Sequence, residues 1–154
     1  MERNYLIVVG FDGSDSSLRA LQWAAHEAAE RDGTVQAIAA WRWDLPGGGL
    51  APEGATDEDA RTRAAQMLDQ AVSALTGDTP VASEVVEGRP ADVLGAASRE
   101  ADLLVLGSHG HSRVWTTVLG SVAEECIRTA QCPVVVIPAE HTAAHRAQAP
   151  AVPG

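Results

Sequence analysis

The sequence predicts an α/β fold, a five-stranded parallel sheet with helices on both faces. Three observations predict it. Five short strand-like segments recur along the chain, the first, fourth and fifth nearly continuous apolar runs closed by glycine or proline. Such runs suit strands buried on both faces, as in a parallel sheet. Helix-period segments lie between them, giving the order β-α-β-α-β-α-β-α-β, for which right-handed crossovers are the rule. The length of 154 residues suits one domain.

Each element has its own signal. Tyr5–Val9 is the first strand, ending at Gly10. Ser14 or Asp15 then offers an N-cap, and Leu18, Leu21, Ala25 and Ala28 mark a helix over 15–31 that Asp32 and Gly33 stop. Residues 34–41 read as the second strand, although alanine is a poor strand former. Residues 42–55 hold three prolines or glycines in each half and form a loop. Asp57 to Leu75 is a helix with one apolar stripe, including Ala64, Leu68, Ala71 and Val72, ended by Gly77. Its acidic start, Asp57 to Asp59, suits the positive end of a helix. Val81–Val86 is the third strand. Pro90 suits a first helical position and opens a helix to about Arg99. Asp102–Leu106 is the fourth strand, ending in Gly107. A polar loop, Ser108 to Thr117, precedes a helix from about Gly120 to Ala130, and Pro133–Ile137 is the fifth strand. Residues 139–154 lack periodicity and read as a disordered tail.

Charge narrows the function. The net charge is −10, and all 11 basic residues are arginines. Without lysine there is no Schiff base and no Walker-type phosphate loop. An acidic chain is a poor match for nucleic acid or for an anionic membrane surface. No run approaches the roughly 20 apolar residues of a membrane span, and the N-terminus lacks the pattern of a signal peptide. A cytoplasmic protein is expected. Cys126 and Cys132 form no CxxC or zinc pattern and read as small packed residues in a reducing compartment.

In doubly wound sheets, ligands sit beyond the carboxyl ends of the strands where strand order reverses. Two segments are therefore candidates: Gly10 to Ser14, and Gly107 to His111. The second begins a longer pattern of Gly107, two residues, Gly110, nine residues, Gly120 and Ser121. Glycines let backbone approach a ligand closely. A helix start at Gly120 collects free N–H groups and suits a phosphate, and the Ser121 hydroxyl can add a bond to a phosphate or its metal ion. Glycine punctuation of two turns would give the same spacing.

This pattern, G-x2-G-x9-G-[S/T] after the fourth strand, resembles the nucleotide-binding subgroup of the universal stress proteins. The resemblance covers residues 3–138 and includes Asp12, the turn Gly88-Arg89-Pro90 and the final strand. It implies a Rossmann-like domain over 1–138, similar to the adenine nucleotide alpha hydrolases, with strand order 3-2-1-4-5. It also implies an adenine nucleotide, ATP or a relative, accompanied by Mg2+ or Mn2+. Asp12, with Gly13 beside it, would lie by the nucleoside. The backbone near Ala40 would meet adenine, and Gly107 the ribose. Gly110, Gly120, Ser121 and Val122 would hold the phosphates, with Ser108 and His109 in the same loop. A homodimer through 134–138 is implied as well.

Other residues have open readings. His109 and His111 are a weak metal pair, and phosphate proximity or solvent exposure are the alternatives. Arg113 is a candidate phosphate contact or a solvated loop residue. Trp115 could cover the site or pack beneath the loop, and Trp41 and Trp43 could stack on adenine or pack elsewhere. Asp15 and Ser16 read as part of a helix start rather than as a catalytic pair. No G-x-S-x-G elbow is present, and the FDGSDS stretch lacks the paired glycines of an SGGxDS loop. A regulatory nucleotide-binding protein is the leading expectation. A slow ATPase and a nucleotide-independent dimeric interaction protein are the alternatives.

Overall fold

The computed structural model describes residues 4–41, 57–110 and 119–139. The elements run β1 (Leu6–Gly10), α1 (Asp15–Glu30), β2 (Thr34–Trp41), α2 (Asp57–Ser73), β3 (Val81–Glu87), α3 (Pro90–Ala97), β4 (Leu103–Gly107), α4 (Ser121–Thr129) and β5 (Val134–Ile137). The strands form one parallel sheet in the order β3-β2-β1-β4-β5. The expected fold and strand order are therefore observed. Strand order reverses between β1 and β4, which makes their carboxyl ends the switch point.

Alternation along the strands builds two cores. Ile7 and Val9 of β1 face one side, where Ala20, Leu21 and Ala24 of α1 and Leu68 of α2 pack on them. Val8 faces the other side, with Ala91 and Leu94 of α3 and Ala123 and Cys126 of α4. Successive side chains of a strand point to opposite faces, so one apolar run serves both layers. That accounts for the unbroken runs in the sequence. Ala20, Ala24 and Ala28 of α1 lie fully buried against the sheet and let the helix backbone approach closely.

Element ends differ from expectation by one or two residues, each with a local cause. α2 ends at Ser73, not Leu75, because the Leu75 N–H turns back to the Val72 carbonyl (3.1 Å), and Gly77 follows at φ +100. α3 ends at Ala97, not Arg99, because Arg99 and Glu100 make the shorter i to i−3 bonds, both at 3.3 Å. Asp102 stands before β4 rather than in it, and its carboxylate accepts from the Leu6 N–H at 2.8 Å. Of the two candidate caps for α1, Ser14 is used: its hydroxyl oxygen accepts from the Ser17 N–H at 3.3 Å. Except for Ala139, the expected tail lies outside the described residues.

Candidate functional site

A cleft, open to solvent, lies at the switch point, where doubly wound sheets take small ligands. Ile38 of β2, Leu94 of α3 and Leu106 of β4 supply apolar lining. Gly10 lets two of them close in, since a Cβ there would stand 2.6 Å from Leu94 and 2.9 Å from Leu106.

Polar groups gather at the opposite side. Asp12 follows β1, and its Oδ1 accepts from the Ser14 N–H at 2.8 Å. This Asx-type turn holds the carboxylate at the cleft while leaving it exposed. The loop after β4 is clamped from three sides. The Ser16 hydroxyl of α1 donates to the His109 carbonyl at 2.5 Å. The Ser108 N–H donates to Ile137 of β5 at 2.8 Å, and the Ala139 N–H donates to the Ser108 hydroxyl at 3.2 Å. The Gly120 N–H donates to the Ser108 carbonyl at 2.6 Å. The same Ser108 hydroxyl lies 3.0 Å from Nδ1 of His109. Residues 108 and 109 are thereby held by the fold itself, an arrangement that would spare a ligand the cost of ordering them.

The motif glycines do different work. A Cβ at Gly110 would stand 2.8 Å from Oδ2 of Asp12. A Cβ at Gly120 would stand 3.2 Å from the Ser108 carbonyl and 3.3 Å from Cα of His109. Both glycines line the cleft and keep its polar end narrow and bare. Gly107 also lines it, yet its missing Cβ points elsewhere: a methyl there would overlap the Ser16 hydroxyl and stand 2.7 Å from the Ser17 nitrogen. This glycine seats α1 on β4. Gly120 is the N-cap of α4 with φ −71 and ψ 163, and no side chain caps the helix. The first N–H groups of an uncapped helix need an outside acceptor, and an anion suits them.

Of the residues nominated from sequence, Asp12, Ala40, Gly107, Ser108 and His109 line the cleft, as do Gly110, Gly120, Ser121 and Val122. Gly13 does not. It turns at φ +84, and a Cβ would run into the Met67 sulfur, so its glycine serves the packing of α2. Arg113, His111, Trp43 and Trp115 lie outside the described residues. Ser16 belongs to the start of α1, as expected, but it also holds the β4 loop. The apolar wall of Ile38, Leu94 and Leu106 was not singled out from sequence. Its signal is faint, because these positions look like any other core residue.

Among the described lining residues, Asp12 is the one carboxylate and no arginine is present. Arg89 caps α3 on the rim, next to the lining residue Pro90, and its guanidinium contacts Glu125 of α4 at 3.1 Å and Asp92 at 3.5 Å. Among the described residues no three His, Cys, Asp or Glu side chains gather to hold a metal ion. Cys126 is buried one turn behind Ala123. Burial, with Glu125 adding, pushes its thiol up to about 11, so it is an inert packing group at neutral pH. Both cysteines are free thiols. Among the described residues no helix is long and apolar enough to cross a membrane.

The model of the universal stress protein family matches residues 6–138. The chain belongs to the universal stress protein family. A universal stress protein of Mycobacterium bovis is 31% identical over 99% of this chain and 54% of its own length. Another, from Methanocaldococcus jannaschii, is 34% identical over 85% of this chain and 80% of its own length. The chain thus spans about half the length of the Mycobacterium relatives it matches. Among solved structures, a universal stress protein in complex with cAMP is 30% identical, with a TM-score of 0.63 over 90% of this chain and 100% of that one.

Proposed function

We propose that this chain binds an adenine nucleotide, with ATP as the ligand, in the cleft between β1 and β4, and that it acts as a regulatory protein in stress signalling. The observation that carries the reading is the bare cradle at the start of α4. Gly110 and Gly120 stand where side chains would crowd the loop, and the uncapped helix start faces the cleft. The similar structure that holds cAMP supports an adenine nucleotide as the ligand class. In this reading the Asp12 carboxylate accepts from ribose hydroxyls. Adenine lies against the end of β2 at Ala40, with the apolar lining of Ile38 and Leu94 excluding water. The phosphates rest on Gly110, Gly120, Ser121 and Val122, with Ser108 and His109 shaping the loop. Arg113 remains a proposed phosphate contact.

The residues present fit the nucleotide. Backbone N–H groups suit phosphate, and a strand end suits an adenine edge. Mg2+ or Mn2+ belongs to the proposal as a companion of the phosphates, with the Ser121 hydroxyl as a protein contact. When bound, it offsets phosphate charge. The domain proper spans 1–138, followed by the tail. A homodimer through 134–138 and a cytoplasmic location complete the proposal. β5 is an edge strand of the sheet, as such pairing requires.

Calorimetry of purified protein with ATP and MgCl2 tests the reading. Binding heat and a raised melting temperature are expected. Neither heat nor thermal shift, with ATP or with cAMP, would refute it.

A further inference from the structure

We propose that Arg89 is a charge-screening residue of the cleft, which cancels the Glu125 carboxylate behind the α4 start and so sets the preference for anionic over uncharged ligands. This rests on the nucleotide reading above. α4 carries two acidic residues, Glu124 and Glu125, directly after the N–H groups that would meet the phosphates. At 1.5 Å rise per residue, Glu125 lies about 6 Å along the axis from Ser121. That is inside the screening length of about 8–10 Å at ordinary salt. An uncompensated carboxylate there would oppose the helix dipole and repel a phosphate.

The chain compensates both. Glu124 pairs with Arg128 on its own helix at 3.3 Å. Glu125 pairs with Arg89, which comes from a different element, at 3.1 Å. Arg89 also meets Asp92 at 3.5 Å, so its single positive charge is shared between two carboxylates, with the shorter contact going to Glu125. Its position is fixed by the backbone: Gly88 turns at φ +147, Arg89 caps α3, and Pro90 opens the helix. The Arg89 side chain is 49% exposed and that of Glu125 32% exposed, so the pair adds little to stability. Its consequence lies in the field at the cleft. The short stretch Gly88-Arg89-Pro90 thus turns the chain and places a charge.

The test compares ATP (with Mg2+) and adenosine as ligands of the full chain at low and high salt. R89A leaves Glu125 and Asp92 uncompensated. ATP affinity should fall roughly two- to five-fold at low salt, in line with an exposed pair. Adenosine affinity should stay unchanged, and the ATP loss should shrink at high salt. E125Q weakens the same contact to a hydrogen bond with a neutral acceptor and removes the negative charge, so ATP affinity should equal or exceed that of the wild type. R89A/E125Q should recover most of the loss, and R89K should bind ATP nearly as well as the wild type.

A purely structural link predicts the opposite pattern: E125Q would weaken ATP as R89A does, and adenosine would follow. That result would overturn the inference, as would an R89A variant with wild-type affinity for ATP. Wild-type protein that binds neither ligand would overturn the nucleotide reading itself, and this inference with it.

Discussion

Gly107→Ala separates a glycine needed by the fold from glycines needed by a ligand. The added methyl would overlap the Ser16 hydroxyl and stand 2.7 Å from the Ser17 nitrogen, where ordinary contact begins near 3.4 Å. The Ser17 nitrogen is backbone in the first turn of α1 and cannot rotate away. The Ser16 hydroxyl can rotate only by giving up its 2.5 Å bond to the His109 carbonyl. Overpacking costs about 1–3 kcal/mol, and loss of a hydrogen bond about 0.5–1.5 kcal/mol. The sum is about 1.5–4.5 kcal/mol. For a domain of this size each kcal/mol lowers the melting temperature by about 2–4 °C, so a fall of roughly 3–18 °C is expected. Urea denaturation followed by circular dichroism gives the free energy directly, and a thermal melt gives the shift. A variant that melts within 2 °C of the wild type would refute the packing argument and return Gly107 to the ligand side of the motif.

Gly120→Val should keep the fold but weaken ATP binding at least ten-fold in calorimetry, since even a Cβ there lies 3.2 Å from the Ser108 carbonyl and a branched side chain would fill the cradle. Chelation of divalent ions with EDTA should sharply lower ATP affinity and leave adenosine binding alone; equal ATP affinity with and without metal would count against the charge argument. Alkaline pH should destabilise the protein through Cys126. Its folded thiol is raised from 9.0 to about 11, so from pH 9 to 11 the unfolded chain loses a proton that the folded chain keeps, and stability falls with rising pH. By pH 10 the loss is about 1.4 kcal/mol, which Cys126→Ser or Cys126→Ala should abolish in pH-dependent melts.

The fold was legible because a doubly wound sheet writes itself in both periods at once. Val8 faces α3 and α4 while Val9 faces α1 and α2, so β1 has no polar position to interrupt the run. The polar half of the site was legible for a similar reason. Gly110, Gly120 and Ser121 stand at a strand end and a helix start, and it is their joint spacing, rather than any one glycine, that separates them from ordinary turn residues. The apolar half was hidden. Leu94 and Leu106 line the cleft and also belong to the core, and one leucine in a sequence cannot report both roles. Gly13 neighbours Asp12 in sequence, but the room its missing Cβ leaves is taken by Met67 of α2, 54 residues further along, which the local sequence does not announce.

In the proposed reading, a chain of net charge −10 without lysine must meet a polyanion by local means. The means visible in the described residues are mostly backbone. The uncapped start of α4 offers N–H groups, and the Ser16, Ser108 and Ile137 bonds hold the facing loop still. Fixed dipoles of this kind need no long side chain to be ordered when the ligand arrives, whereas a lysine would lose about 1.5–2 kcal/mol of rotamer freedom. They also bind less strongly than a full charge does. The acidic residues that follow on α4 are therefore a liability that has to be neutralised in place, by Arg128 within the helix and by Arg89 across from α3. In that reading, affinity for the phosphates depends on two separate supports, a rigid backbone cradle and a balanced helix behind it. Gly120→Val should damage the first at any salt concentration, whereas Arg89→Ala should damage the second only where salt leaves it exposed.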